Sequence, residues 1–293
     1  MWNINEITAK MTSSPGDGSE NVSLDLSGAG IADLAFIREY KGLTRLDLSH
    51  NQLVEISPLA HLKNLVYLDL SGNPFTDLSS LQCLNRLSHL VLHYNQLSDI
   101  SALASLKSLT HLFFSGEQRI DISPLKELTR LTHLEMKYYP LTDISPLAAL
   151  TQLTYLSLVN TKLSDISALA PLQNLIELRL HHNNLSDISA LAPLINLTQL
   201  SLGDNELSDI TPLGALGSLM ELGLSRNKLT DISPLVPLQK LIRLYLGSNP
   251  LADYSPLVEL KSLRYLHFHR NQISTEQKEE INRVLPDLTI YIE

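Results

Sequence analysis

The stretch LTRLDLSHNQLVEISPLAHLKN, residues 43–64, decides the fold of this 293-residue chain. It begins as Leu-x-x-Leu-x-Leu, and this alternation predicts a short strand with one buried face. Asn51 then indicates a turn, beyond which apolar residues point back to the core. Ser57 and Pro58 suit the cap and the first position of a tight helical turn. One strand and one short helical turn are therefore expected.

The same pattern recurs every 22 residues without insertion or deletion. A repeat of this length has no room for a long helix, so short 3-10 turns are expected opposite the strands. One repeat cannot bury its leucine face alone, whereas stacked repeats bury it between neighbours and align their strands in a parallel sheet. The leucine series runs through Leu24, Leu46, Leu68, Leu90, Leu112, Leu134, Leu156, Leu178, Leu200, Leu222, Leu244, Leu266 and Leu288.

The consensus LxxLxLxxNxLxDISPLxxL resembles the repeats of bacterial, internalin-type leucine-rich-repeat proteins. The repeat length is also similar to that of the eukaryotic phosphatase-regulator type. The resemblance implies an α/β leucine-rich-repeat solenoid, a curved right-handed horseshoe with a parallel concave sheet of about 13 strands. It also implies short 3-10 turns on the convex side, helical caps, and a concave face that binds proteins.

Both ends of such a stack expose apolar core and need a cap. In the first cap, Ile4, Ile7 and Met11 share one helical face, which predicts a helix. The chain is therefore divided into an amino-terminal cap at residues 1–21, the repeat solenoid at residues 22–273 and a carboxy-terminal cap at residues 274–293.

The carboxy-terminal cap has its own signals. Ser274 and Gln277 have the spacing of a capping box. They precede a predicted helix, residues 275–285, which a proline ends. An apolar strand at residues 288–292 is expected to close the chain.

The composition of the chain limits the classes of partner that it is expected to bind. The net charge of −9 disfavours nucleic acids and anionic membranes, because both would be repelled. No segment approaches the roughly 20 apolar residues of a membrane-spanning helix, so membrane insertion is not expected. Cys83 is the only cysteine, which leaves no internal disulfide.

The first residues, MWNINEITAKM, do not resemble a signal peptide. They predict a cytoplasmic location, with a secreted or surface-exposed protein whose signal was removed as the alternative.

Two polar columns are interpreted as structural. An acidic residue precedes each helical turn, where it can cap that turn. Asparagines at the strand exits can bond to the backbone of adjacent coils as a buried ladder. The acidic column is Asp33, Glu55, Asp77, Asp99, Asp121, Asp143, Asp165, Asp187, Asp209, Asp231 and Asp253, and the ladder is Asn51, Asn73, Asn95, Asn183, Asn205, Asn227, Asn249 and Asn271.

Nine of the ten histidines and six of the ten tyrosines stand at the outward strand positions and strand exits. β-Propensity favours tyrosine on a sheet, but it does not favour histidine so strongly. Amphipathic side chains clustered on one face indicate a protein-binding surface. The candidate partner-binding residues are Tyr67, His89, His111, Phe113, His133, Glu135, Tyr138, Tyr155 and Arg179, and the favoured contact zone extends from Tyr67 to Tyr155.

One column within this set suggests a metal or small-ligand site as an alternative. His89, His111 and His133 occupy the same position on three successive strands. A strand spacing of about 4.8 Å would bring neighbouring imidazoles towards one ion, with Glu135 nearby. The outer two histidines would lie about 10 Å apart, so we predict no metal and no cofactor.

The asparagine ladder is interrupted in three consecutive repeats, by Glu117, Tyr139 and Thr161. Arg119 also replaces a core leucine there. Because a buried arginine is costly, we expect its loop to bulge outward, with Glu117 paired to Arg119 and Ile120 filling the vacated pocket. Such breaks can mark functional sites or simple sequence drift, and both interpretations stay open.

We therefore predict a monomeric, non-enzymatic module that binds a protein partner on its concave face. The chain has no phosphate loop, HExxH motif or dinucleotide fingerprint. The alternatives are the histidine ligand site, a phosphatase-regulator-like scaffold subunit, and an architectural spacer whose face is unused. If histidines contribute to binding, it should weaken near pH 6 as they become charged.

Overall fold

A computed structural model describes residues 11–14, 21–268 and 273–291. The chain divides into two compact units, residues 1–140 and 141–293. Both units are built from successive coils of one strand and one 3-10 turn, as the 22-residue repeat predicts.

In the first unit, β1 pairs antiparallel with β2, and β2 to β7 pair in parallel in chain order. Its strands are β1 (Met11–Ser14), β2 (Asn21–Asp25), β3 (Leu43–Asp47), β4 (Tyr67–Asp69), β5 (His89–His93), β6 (His111–Ser115) and β7 (His133–Lys137). Its 3-10 turns are Ala35–Glu39, Ser57–His61, Ser79–Cys83, Ser101–Ser105 and Ser123–Glu127.

In the second unit, β8 to β14 pair in parallel, also in chain order. Its strands are β8 (Tyr155–Val159), β9 (Glu177–Arg179), β10 (Gln199–Ser201), β11 (Glu221–Gly223), β12 (Arg243–Tyr245), β13 (Tyr265–His267) and β14 (Thr289–Tyr291), and its α-helix is α1 (Thr275–Val284). Its 3-10 turns are Ser145–Ala149, Ser167–Leu169, Ser189–Leu191, Thr211–Ala215, Ser233–Leu235 and Ser255–Glu259.

The leucine series forms the core of both units. Its members from Leu24 to Leu266 are at most 2% exposed, and Leu288 is 9% exposed. Within each unit, the strand pairing sets these leucines side by side as far as Leu266, which pairs with Ile290 and not with Leu288. The predicted fold class, an α/β leucine-rich-repeat solenoid, is confirmed.

The asparagine ladder is confirmed for the seven members that the structure describes, which are all buried. Asn51 shows the pattern: its Nδ2 donates to the carbonyl oxygens of Leu26 and Leu48, both at 2.9 Å. Its Oδ1 accepts from the Ile31 amide at 2.8 Å. One side chain thus satisfies backbone groups of two coils. Asn271 lies outside the described residues.

The acidic column also has its predicted structural role. Asp99 is typical, because its Oδ1 accepts the Ser101 amide at 2.7 Å and so caps the turn. In such turns the cap is the aspartate side chain. The expectation that Ser57 caps its turn was wrong. Ser57 is the first residue of the 3-10 turn, and its hydroxyl bonds to Glu55.

The carboxy-terminal prediction is confirmed and the amino-terminal one needs correction. Ser274 and Gln277 form both bonds of a capping box at the start of α1. Met11 belongs to strand β1 and not to a helix, while Ile4 and Ile7 lie outside the described residues. Among the described helices, none is long and apolar enough to cross a membrane.

At one of the three interruptions, an aromatic ring fills the ladder position. Tyr139 is fully buried and packs against Phe114, with ring centroids 5.4 Å apart. Arg119 is exposed, as expected for a loop that bulges outward. Two details were wrong: the structure shows no ion pair between Glu117 and Arg119, and Ile120 is only half-buried.

Candidate functional site

Four side chains of the first unit form a row of rings, here called the ring stack: Tyr67, His89, His111 and His133. The centroids of His89 and His111 are 4.0 Å apart, and those of His111 and His133 are 4.2 Å apart. Both pairs are nearly parallel, with interplanar angles of 14° and 12°. Tyr67 is tilted at 6.2 Å from His89. The structure therefore brings together the column that the sequence singled out.

Strand register produces this stack. Tyr67 pairs with His89, His89 with His111, and His111 with His133. Each ring stands next to a buried leucine in its strand, so it projects from the opposite side of the sheet. We call that side the open face. At one end of the row, the Arg45 guanidinium carbon lies 3.3 Å from the Tyr67 ring centroid, a cation–π contact.

The stack lowers the pKa of two of its histidines, His111 and His89. Burial, followed by the neighbouring His89 and His133, lowers the pKa of His111 to about 4. Burial and the Arg45 charge also lower the pKa of His89. Two stacked imidazolium rings would repel each other, whereas neutral rings pack without that cost. His111 and His89 are therefore expected to become protonated at a lower pH than the value near 6 predicted from the sequence.

Acid should destabilise the wild-type protein more than the His111→Phe variant. The unfolded chain binds a proton at His111 below about pH 6.5, whereas the folded chain does so only near pH 4. The folded state therefore loses stability as the pH falls between these values. Because solvent screens the half-exposed ring, we expect about 1–2 kcal/mol from this group. Urea unfolding at several pH values measures it.

The control for this measurement is His61→Phe, because His61 is exposed and lies outside the stack. Its pH dependence should match that of the wild type. If His111→Phe lost stability with acid as steeply as the wild type, the altered titration of His111 would be refuted.

The stack does not have the geometry of a metal site. The lone pair of an imidazole nitrogen lies in the ring plane, so parallel stacked rings direct their lone pairs side by side and not to one point. Within the described part of the chain, no group of three or more histidine, cysteine, aspartate or glutamate residues is placed to hold a metal ion. The metal alternative is therefore not supported.

Beside the stack, Glu135 is the centre of a charged cluster. Its Oε1 lies 2.8 Å from Lys137 Nζ and 3.7 Å from His93 Nε2. His93 Nδ1 in turn lies 3.2 Å from the Ser115 hydroxyl. Burial lowers the pKa of His93, Glu135 opposes this shift, and Lys137 adds to it. Glu135 is therefore held in place by Lys137 and His93, two strand-exit residues that the list of candidate partner-binding residues does not include.

Phe113 and Tyr138 extend the surface in different ways. Phe113 is half-buried, with its ring 6.2 Å from His111. Tyr138 follows β7 and is 43% exposed, with a backbone φ of 66°. Tyr94 has the same position two repeats earlier, with φ 55° and 69% exposure. The left-handed backbone recurs at this position of other repeats with other residues, for example His182 and Arg226, so it belongs to the turn. The exposed rings of the two tyrosines suit contact with a partner.

The remaining predicted residues, Tyr155 and Arg179, belong to the second unit and form a pair there. The Arg179 guanidinium carbon lies 5.6 Å from the Tyr155 ring centroid. Its Nε lies 2.6 Å from Glu177 Oε1.

The second unit also contains a hollow of about 440 Å³ on its open face. Small residues at Ser201, Gly203 and Gly223 leave this space, and Glu221 and Tyr245 line it. The candidate list missed the hollow. Its signal was present in the sequence, as small residues at outward positions of consecutive repeats.

The comparisons agree with this geometry. The family described as "Leucine Rich repeats (2 copies)" matches residues 41–83, 85–127 and 173–215. An internalin (inlF) of Listeria monocytogenes is 30% identical, with 92% of this chain and 86% of that chain covered and a TM-score of 0.78. Internalin C2 of the same organism is 34% identical, with 71% and 82% covered and a TM-score of 0.55.

A leucine-rich-repeat protein of Leptospira interrogans is 30% identical over 87% of this chain and 62% of that chain, with a TM-score of 0.71. No curated protein matches the sequence. The coils, the ladder and the open face define a leucine-rich-repeat protein. The chain belongs to the internalin-type leucine-rich-repeat family. Proteins of this fold generally act as interaction modules.

Proposed function

We propose that this protein is a non-enzymatic module that binds a protein partner on the open, concave face of its sheet, centred on the ring stack. The observation that carries the proposal is the stack itself, because three histidines and a tyrosine line up at positions that the fold leaves free to vary. Aromatic and amphipathic side chains at the centre of a rigid surface are typical of binding hot spots.

The neighbouring candidates have distinct proposed roles. Phe113 would anchor the contact beside the stack, and the exposed ring of Tyr138 would reach the partner from the strand exit. Glu135, fixed by Lys137 and His93, would supply a charge at the rim. In the second unit, Tyr155 and Arg179 are proposed as further contacts. Side chains held by packing lose little conformational entropy on binding, which favours affinity.

We further propose that the chain consists of an amino-terminal cap at residues 1–21, the repeat solenoid at residues 22–273 and a carboxy-terminal cap at residues 274–293. We propose that it acts as a monomer without nucleic-acid partners, in the cytoplasm or, alternatively, as a secreted or surface-exposed protein. The named structural neighbours are bacterial, which favours the internalin type over a phosphatase-regulator-like scaffold.

Site-specific photo-crosslinking tests the proposed face. A photoreactive amino acid at Val91, which pairs in register with Phe113, should capture a discrete partner from a lysate of the source organism. The matched control is Val54, which is 73% exposed and lies in the loop before a 3-10 turn. The same product from both positions, or none from Val91, would contradict binding on the open face.

The captured partner then allows a quantitative test. Phe113→Ala should weaken its binding about tenfold or more, corresponding to roughly 1.4 kcal/mol, whereas Val54→Ala should leave it unchanged. Calorimetry with the purified pair measures both. Unchanged affinity for the Phe113 variant would exclude this residue as an anchor.

A further inference from the structure

The position directly before each strand has a regular role in this fold. Serine or threonine occupies it before five of the strands β4 to β13. Thr198 shows the role, because its hydroxyl donates to the Ile176 carbonyl of the preceding coil at 3.3 Å. Met220 and Ile242 occupy the position before β11 and β12, where Met220 is 43% exposed and Ile242 is half-buried. The fold therefore does not require their large apolar side chains.

Met220 and Ile242 line a groove of about 410 Å³ on the second unit, together with Lys240, Ser262 and Arg264. The volume is within the range of about 300–1,000 Å³ that is usual for ligand sites. An aliphatic group bound in the groove would remove its own apolar surface and that of Met220 from water, which is favourable. The groove therefore suits an aliphatic side chain of another molecule.

The two charged residues that line the groove are both cations. Lys240 is exposed and has no carboxylate partner among the described residues. The exposed acids of the neighbouring segments, Glu259 and Asp287, do not line the groove. Other cations of the second unit are paired, namely Arg226 with Asp204, Lys228 with Glu206 and Arg243 with Glu221. The groove thus presents positive charge in a chain of net charge −9, and an acidic segment complements it.

Arg264 is held in position by the backbone around it. Its Nη1 donates to the carbonyl oxygens of Lys261 and Leu263 at 3.1 and 2.9 Å. Its Nη2 has no hydrogen-bond partner within the described part of the chain. A guanidinium fixed in this way loses little entropy on binding and can direct its remaining N–H groups at a carboxylate.

We propose that this groove is a docking site for an acidic segment of a partner protein that carries aliphatic side chains. An aliphatic side chain covers Met220 and Ile242, and flanking carboxylates pair with Lys240 and Arg264. Apolar burial supplies most of the affinity, and the two cations select the sign of the charge. The site is separate from the open face, so the proposal goes beyond the proposed function and does not rest on it.

Methionine methyl NMR tests the site, because the chain has only four methionines. Protein labelled with ¹³C at the methionine methyl groups is titrated at low ionic strength with the acetylated, amidated peptide Asp-Glu-Leu-Leu-Glu-Asp. The Met220 resonance, assigned by its loss in Met220→Thr, should shift and saturate. The Met136 resonance should not move, because that side chain is fully buried. No saturable shift at Met220 would overturn the proposal.

Two altered peptides separate the apolar part of the recognition from the charged part. Asp-Glu-Ser-Ser-Glu-Asp lacks the leucines, and Lys-Arg-Leu-Leu-Arg-Lys reverses the charge. Each should bind about fivefold more weakly or worse. Equal binding of the serine peptide would reject the apolar contact, and equal binding of the basic peptide would reject an acidic partner.

Matched variants locate the bound peptide. Ile242→Thr installs the residue type that Thr198 has at the equivalent position, and Ile176→Thr makes the same change at a 48% exposed position outside the groove. Ile242→Thr should weaken binding about fivefold, whereas Ile176→Thr should leave it unchanged. Lys240→Glu should also weaken it about fivefold, whereas Lys162→Glu, at an exposed lysine outside the groove, should not. Equal losses within either pair would mean unspecific attraction and would contradict the site.

A second copy of the chain is the rival occupant of the groove. Analytical ultracentrifugation of the protein without peptide should show a monomer. A dimer that Ile242→Thr dissociates would assign the groove to self-association and reject the peptide site. The groove variants should leave photo-crosslinking at Val91 unchanged, so failure of the groove proposal and failure of the proposed function are distinguishable.

Discussion

Tyr139→Ala is expected to lower the free energy of unfolding by about 3–5 kcal/mol, the range typical for loss of a buried aromatic side chain. The ring is fully buried and packs against Phe114. It occupies the ladder position of its repeat, so its removal leaves a cavity inside the first unit. Urea denaturation followed by circular dichroism measures the change.

Tyr139→Phe is the control that separates the ring from its hydroxyl. The hydroxyl oxygen is buried and has no hydrogen-bond partner among the described residues. Burial raises the pKa of Tyr139 to about 12. Removing a hydroxyl without a partner should leave stability unchanged or raise it by up to about 1 kcal/mol. A loss similar to that of the alanine variant would show that the hydroxyl has a partner and that the packing argument fails.

The same ring explains a second irregularity. A Cβ added at Gly116 would lie 2.6 Å from the Tyr139 hydroxyl oxygen and 2.7 Å from the adjacent ring carbon. Glycine at this position therefore makes room for the tyrosine of the next repeat. Two departures from the repeat, which in the sequence indicate either function or drift, are coupled by packing.

Asn205→Ala is expected to cost about 3 kcal/mol. Asn205 Oδ1 accepts the Leu185 amide at 3.0 Å, and its Nδ2 donates to the carbonyls of Leu180 and Leu202 at 3.1 and 2.9 Å. Alanine leaves these buried backbone groups without partners, and each such group costs about 1–3 kcal/mol. The backbone groups that lose Asn205 can shift together, so the total loss of stability is smaller than the sum of their individual costs.

Asn196→Ala is the matched control, since Asn196 is exposed and makes one bond, to the Gln173 carbonyl at 2.9 Å. It should cost less than about 0.5 kcal/mol, as surface changes usually do. Equal losses for the two variants in urea denaturation would mean that the ladder does not stabilise the coils through buried hydrogen bonds.

Much of the fold was readable from the sequence because its determinants are local and repeated. The leucine period predicts the strands, Asp99 and its equivalents predict the capped turns, and Ser274 with Gln277 predicts the start of α1. One error occurred where the repeat gives no information. Met11 forms a strand because it pairs with β2, a contact that no periodicity of its own segment indicates.

The candidate site was predicted in part. The column His89, His111 and His133 is visible in the sequence, because strand register places equivalent positions of consecutive repeats side by side. Whether such rings converge on an ion or stack depends on side-chain torsions, which neighbouring hydroxyls and packing select. The hydroxyl contacts of Ser88 with His89 and of Thr110 with His111 were not recognised in the sequence for that reason.

The sequence by itself thus determined the repeat, the strand register within it, the buried ladder and the face on which histidines and tyrosines gather. These features follow from periodicity, because a regular backbone places residues one repeat apart at equivalent positions. Only the tertiary structure decided that the histidines stack at about 4 Å, that burial lowers the pKa of His89 and His111, and that Tyr139 requires Gly116. Such features depend on distances between side chains of different coils, and ring orientation and desolvation exist only once those coils are packed.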